Sequence, residues 1–65
     1  MIYSLKGTVQ ELNPTSVIVE VNGVGYFVGI SLQTSEKLSL GQPTFLHIQQ
    51  IIREDAHLLF GFNTI

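Results

Sequence analysis

The chain has 65 residues, no cysteine and a net charge of −2. Its length allows one small domain, and the lack of cysteine excludes a disulfide scaffold and a cysteine-rich metal site. It is 45% hydrophobic and only 12% charged, so a core or a partner has to cover much apolar surface. Its three cations, Lys6, Lys37 and Arg53, neutralise few phosphates and predict weak nucleic-acid binding by the chain alone. The apolar runs are too short for a membrane span, and the lack of cysteine fits a reducing cytoplasm.

The first half of the chain predicts strands. Residues 2–12 are a β-prone run interrupted by Gly7, where a bulge or a sharp coil of the strand is expected. Asn13-Pro14-Thr15 predicts a turn. The valines of residues 16–21 recur with a period of two, which is typical of a strand with one buried face.

Asn22-Gly23 predicts a tight hairpin, because both residues tolerate the positive φ of a type I′ turn. The following strand then has two distinct faces. One carries Val24, Tyr26, Val28 and Ile30, and the other carries Gly25, Phe27 and Gly29. Gly23-Val24-Gly25 does not predict a dinucleotide loop, since position 28 is valine and a strand follows where that motif needs a helix.

Residues 31–40 break the strand pattern and predict one or two turns of helix. Ser31 or Thr34 can cap its start, Glu36 is favourable near that start, and Gly41 is a suitable terminator. The predicted order is three strands, a short helix and two strands. This order predicts an all-β fold, a five-stranded OB-fold Greek-key barrel with the helix between strands 3 and 4. The rival is a small SH3-like barrel, which does not naturally place a helix there.

The last two strands, residues 43–52 and 56–62, flank Glu54 and Asp55, which we expect at an exposed hairpin tip. In that register Ile52 faces His57 and Phe62 faces His47. The two histidines then point to opposite sides of the sheet, so neither a shared metal nor a cofactor is expected.

Glu54 and Asp55 admit two interpretations, a solvated polar turn or a functional charged prong. A catalytic acid–base pair is disfavoured, because carboxylates on an exposed tip lack a pocket that would tune their pKa values. A stacking platform for single strands would need Tyr3, Phe27 or Phe45 to be exposed among basic residues, and those basic residues are missing.

Three segments carry a family resemblance: residues 1–7 with Leu5-Lys6-Gly7, residues 20–26 with Gly-Val-Gly-Tyr, and residues 53–62, Arg-Glu-Asp-Ala-His-Leu-Leu-Phe-Gly-Phe. Together they resemble the N-terminal domain of the RuvA family, the Holliday-junction-binding subunits of the bacterial RuvAB branch-migration complex. The resemblance covers the whole chain. Family members continue with a second and a flexible third domain, which these 65 residues do not include.

The resemblance implies an OB-fold domain over residues 1–62, with residues 63–65 starting the linker to the second domain. It implies a homotetramer in the bacterial cytoplasm that acts in DNA recombination, repair and the SOS response. Glu54 and Asp55 correspond to the family's acidic pin, which helps separate strands at the crossover. Holliday junction DNA is held mainly by the second domain, and the third contacts the RuvB ATPase, so this domain itself is not expected to be an enzyme. The alternative is a generic OB-fold protein-interaction module without a DNA role.

Overall fold

The computed structural model describes residues 1–53 and 56–63. The elements are β1 (Ser4–Asn13), β2 (Ser16–Val21), β3 (Val24–Gly29), α1 (Leu32–Lys37), β4 (Pro43–Arg53) and β5 (Ala56–Phe62). The strands close a barrel in the order β1-β2-β3-β5-β4, with β3 and β5 parallel and the other neighbours antiparallel. The short helix α1 lies between β3 and β4, so the predicted OB-fold is confirmed.

Strand β1 closes the barrel because its two halves pair with different neighbours. Ser4 to Thr8 pair with β4, and Thr8 to Asn13 pair with β2. Of the two alternatives predicted at Gly7, a bulge or a sharp coil, the bulge lies instead between Val9 and Glu11. The pairing with β4 runs through Gly7 without a shift. Gly7 serves a different purpose, since a Cβ there would overlap the carbonyl oxygen of Glu20.

The barrel interior is filled by side chains from alternate positions of the strands, as the period-two pattern predicts. The valines of β2 at positions 17 and 19 are fully buried. On β3 the two faces separate as expected, since Val28 is fully buried while Phe27 is 65% exposed. The buried hydrophobic residues are Leu5, Val9, Val17, Val19, Val28, Ile30, Leu46 and Ile48.

The tight turn between β2 and β3 has the predicted geometry. Asn22 has φ 52° and Gly23 has φ 87°, the two positive values that a type I′ turn requires. The turn at Pro14 and Thr15 between β1 and β2 is also present. These connections depend on local backbone preferences, which explains why the sequence reveals them.

Helix α1 begins as one of the two predicted alternatives and ends earlier than predicted. Ser31 is the N-cap, and its Oγ accepts a hydrogen bond from the Thr34 amide at 3.1 Å. The C-cap is Leu38 in extended conformation, so Gly41 does not terminate the helix, and Glu36 lies in the last turn rather than near the start. Gly41 has φ 81° in a separate turn, where its amide donates to the Val9 carbonyl at 2.8 Å. Within residues 1–53 and 56–63, no helix is long and apolar enough to cross a membrane.

Candidate functional site

The β4–β5 hairpin extends beyond the barrel. Pairing of β4 with β1 reaches His47, and the bonds from Ile48 N to Tyr3 O (2.8 Å) and from Ile2 N to Gln50 Oε1 (2.8 Å) continue the contact with the N-terminal segment. Strand β5 pairs with β3 at Phe60. Residues 51–53 and 56–58 pair with each other beyond these contacts, and we call them the arm.

The arm has the register that the sequence predicts. Ile52 pairs with His57, and His47 pairs with Phe62. The pairing continues to Arg53 and Ala56. Glu54 and Asp55, the two residues between them in the sequence, lie outside the described residues, so their assignment as an exposed tip stays a prediction.

The described side chains of the arm are apolar on both of its faces. Ile51 and Leu58 are a cross-strand pair on one face, and Ile52 follows on the other because side chains alternate. Ile52 is 59% exposed, and Leu58 is exposed as well. Ile52 and Leu58 therefore give the arm an exposed apolar surface.

Of the two histidines, His47 has a described side chain. The half-buried His47 packs edge-on against Phe45, with ring centroids 5.1 Å apart at 84°. Residues 1–53 and 56–63 contain no group of three metal-ligating side chains. The side chain of His57 lies outside the described part, so the expectation that the two imidazoles point to opposite sides stays a prediction.

The outer aromatic residues do not form a nucleic-acid platform. Tyr3, Phe27 and Phe45 are all exposed, as stacking would require. However, Tyr3 belongs to the N-terminal segment, Phe27 to β3 and Phe45 to β4. Strand pairing places one cation, Lys6, opposite Phe45. Stacking surfaces for single strands combine aromatic rings with a basic groove, and the described barrel surface does not provide that combination.

A groove at the seam between β3 and β5 was not predicted from the sequence. We call it the seam groove; its volume is about 460 Å³. The sequence did contain an indication of this groove. Phe60 and Phe62 are two residues apart in β5, so they lie on the same face of the strand, and both are exposed. Its lining residues are Thr15, Gly29, Ile30, Ser31, Gln49, Phe60, Gly61 and Phe62.

A closed five-stranded barrel with a helix after β3 and a projecting β4–β5 arm defines the chain as an OB-fold domain. The family described as RuvA N terminal domain matches residues 1–61, and the chain belongs to this family.

Two relatives illustrate the match. A protein of Pseudomonas paraeruginosa named Holliday junction branch migration complex subunit RuvA is 49% identical over 63 residues, covering 95% of this chain and 31% of the relative. A protein of Neisseria gonorrhoeae with the same name is 51% identical over 65 residues, covering 98% of this chain and 34% of the relative. The chain therefore spans about a third of the length of the curated relatives it matches.

Proposed function

We propose that this chain is the amino-terminal domain of a Holliday-junction-binding subunit that acts in branch migration during DNA recombination and repair. The observation that carries the proposal is the family match over residues 1–61, which coincides with the closed barrel and its arm. The domain is a structural part of the complex and not an enzyme. A separate hexameric ATPase, the RuvB motor, supplies the energy of ATP hydrolysis.

Because this domain has few basic residues, we infer that most of the DNA-binding affinity comes from the part of the subunit that follows it. Lys6, Lys37 and Arg53 are the complete set of lysines and arginines, and each phosphate contact contributes about one unit to the salt dependence of binding. Residues 1–65 alone should therefore bind a four-way junction weakly. A gel-shift titration at about 50 mM salt checks this, and submicromolar junction-specific binding would contradict it.

We assign Glu54 and Asp55 the role of the acidic pin at the junction's crossover. Support comes from the pairing of Arg53 with Ala56, which leaves these two residues as the sequence between the paired strands of the arm. A carboxylate about 4 Å from a phosphate is repelled by roughly 1 kcal/mol in water and by roughly 4 kcal/mol at an effective dielectric constant of 20. A base-pair step contributes about 1.4 kcal/mol of stacking, so the repulsion exceeds the stacking of one step only where water is displaced from the crossover.

The apolar faces of the arm support assembly of the subunit as a homotetramer in the bacterial cytoplasm. Ile51, Ile52 and Leu58 would pack against neighbouring subunits near the symmetry axis, which brings four pins together. Charged groups are scarce in the core of protein interfaces, and these three side chains meet that condition. Sedimentation of the assembled subunit should show tetramers that Ile52→Ser weakens, whereas the same change at exposed Leu40 should not.

A chimera tests the proposed function directly. This chain would replace the matching third of the Pseudomonas paraeruginosa relative, which is 49% identical to it over 63 residues. We expect the chimera to bind four-way junctions and to support motor-driven branch migration. A chimera that folds and assembles but does neither would instead favour the generic OB-fold interaction module.

The pin is tested in the same chimera with Glu54→Gln and Asp55→Asn, which keep side-chain size and remove two negative charges. The matched control, Glu11→Gln with Glu36→Gln, makes the same charge change at exposed positions outside the arm. We expect the pin variant to keep or raise junction affinity while its branch-migration rate changes, and the control to alter neither. Unchanged affinity and rate in the pin variant would make the pair an ordinary polar turn, and lost affinity would indicate a binding role.

A further inference from the structure

The seam groove has an apolar interior and a polar rim. Phe60 and Phe62 are 39% and 46% exposed and form one wall. Gly29 lies against the Phe60 ring, and a Cβ at that glycine would be 3.0 Å from Phe60 Cδ1, so a larger residue would crowd the groove. Thr15, Ser31 and Gln49 add polar groups around it. A volume of about 460 Å³ falls within the range of specific binding pockets.

A hydrogen-bonded clasp holds the end of β5 beside this groove. Ser31 Oγ donates to Thr34 Oγ1 at 3.1 Å, and Thr34 Oγ1 donates to Asn63 Oδ1 at 3.3 Å. Thr34 is only 5% exposed, so the central hydroxyl of the clasp is shielded from water. The clasp attaches Asn63 to the start of α1, and Ser31 belongs to both the clasp and the groove.

We propose that the seam groove is the docking site for apolar side chains of the polypeptide that follows residue 65 in the longer subunit. The inference rests on the proposed function, in which this chain is the amino-terminal third of that subunit. Phe62 lines the groove and Asn63 is clasped next to it, so a continuing polypeptide starts at the groove. A tethered segment reaches effective concentrations of about a millimolar, which favours it over any ligand that must diffuse in.

The chemistry of the lining supports this occupant over a nucleic acid. None of the eight lining residues is charged, so the groove offers no cation to neutralise a phosphate. The two exposed phenylalanines instead provide the aromatic contact area that dominates protein–protein contacts. A docked segment would bury both rings and fix the orientation of the next domain relative to the barrel and its arm.

Thiol labelling at the groove tests the proposal, since the chain has no cysteine of its own. Gln49→Cys places a reporter at the groove, and Gln33→Cys places a matched control on the exposed side of α1. Maleimide labelling of each site would be measured by peptide mass spectrometry in residues 1–65 and in the full-length subunit. We expect the Gln49→Cys site to react at least about tenfold more slowly in the full-length subunit, and the Gln33→Cys site to react equally in both.

Two further measurements identify the occupant. Slow labelling that persists on dilution below the concentration of subunit association supports docking within one subunit, whereas slow labelling that disappears on dilution indicates a second copy and overturns the proposal. Hydrogen exchange of the unsubstituted proteins should likewise show slower exchange at Gly61 to Asn63 in the full-length subunit, independently of the introduced thiols. Equal labelling and equal exchange in both proteins would overturn it.

The failure of this proposal is distinguishable from failure of the proposed function. Junction binding by the unsubstituted full-length subunit reports on the function. Protection of the seam groove reports on docking alone. If the full-length subunit binds junctions but its seam groove is unprotected, the proposed function is supported and the docking proposal is contradicted.

Discussion

Gly7→Ala tests why β1 contains a glycine where it passes from one neighbouring strand to the other. The added methyl group would overlap the backbone carbonyl oxygen of Glu20 and lie 2.8 Å from Val21 Cγ2. A backbone oxygen in a paired strand cannot rotate away as a side chain can. Strands β1 and β2 would therefore have to separate by roughly 1 Å to restore ordinary carbon contacts of about 3.5–4 Å.

The magnitude follows from what that separation breaks. The adjacent pairs, Thr8 with Glu20 and Val9 with Val19, contribute ladder hydrogen bonds of about 0.5–1.5 kcal/mol each. Overpacking adds about 1–3 kcal/mol, and the reduced entropy of the unfolded chain offsets up to about 1 kcal/mol. Taking the middle of each range, the expected loss is about 3 kcal/mol, against a total stability of about 3–10 kcal/mol for a domain of this size.

Urea and thermal unfolding followed by circular dichroism measure this loss. At about 4–8 °C per kcal/mol for a small domain, the melting temperature should fall by about 12–24 °C. Gly61→Ala should cost about 1–3 kcal/mol from overpacking without breaking ladder bonds, because its nearest neighbours are core side-chain atoms, Val28 Cγ1 at 2.8 Å and Leu46 Cδ1 at 3.3 Å. Gly25→Ala, which meets only Gln10 Oε1 and Ile18 Cγ2 at 3.2 Å, should change stability by less than about 1 kcal/mol. Equal stability of Gly7→Ala and Gly25→Ala would refute the explanation.

Three further substitutions test the core, the helix cap and the clasp by the same unfolding assays. Leu46→Ala should destabilise by about 2–5 kcal/mol because Leu46 is fully buried, whereas Phe27→Ala on the outer face should stay within about 0.5 kcal/mol; similar losses at both sites would contradict the assigned core. Ser31→Ala should lower the free energy of unfolding by about 1 kcal/mol because it removes the N-cap, whereas Ser31→Asn should keep the cap and the stability. An equal loss of stability in both variants would contradict the capping explanation. Thr34→Val should lower the free energy of unfolding by about 1 kcal/mol and should speed hydrogen exchange at Asn63. Unchanged exchange would show that the clasp does not hold the end of β5.

The amino-acid sequence by itself determined the features that depend on near neighbours. The alternation of valines in residues 16–21 predicts which side chains are buried, because successive side chains of a strand face opposite ways. Asn22-Gly23 predicts its turn, because few residues adopt positive φ. The register of β4 with β5 follows from a two-residue connection, and the observed pair of His47 with Phe62 agrees. The order of these elements, with one helix before β4, was sufficient to predict the OB-fold. The family resemblance in residues 53–62 suggested the pin at Glu54 and Asp55, which stays a prediction.

Only the tertiary structure decided the features that depend on residues distant in the sequence. From the sequence, Gly7 suggests a bulge, but the structure shows that the Glu20 carbonyl leaves no room for a Cβ there. The bulge itself lies after Val9, in the half of β1 that pairs with β2. Gly41 looks like a helix terminator, but its amide is bonded to Val9 in β1, and the helix ends at Lys37. The seam groove lies where β3 and β5, far apart in the chain, meet in parallel at Gly29 and Phe60. Such contacts arise from closure of the barrel, which brings together residues whose local preferences contain no information about one another.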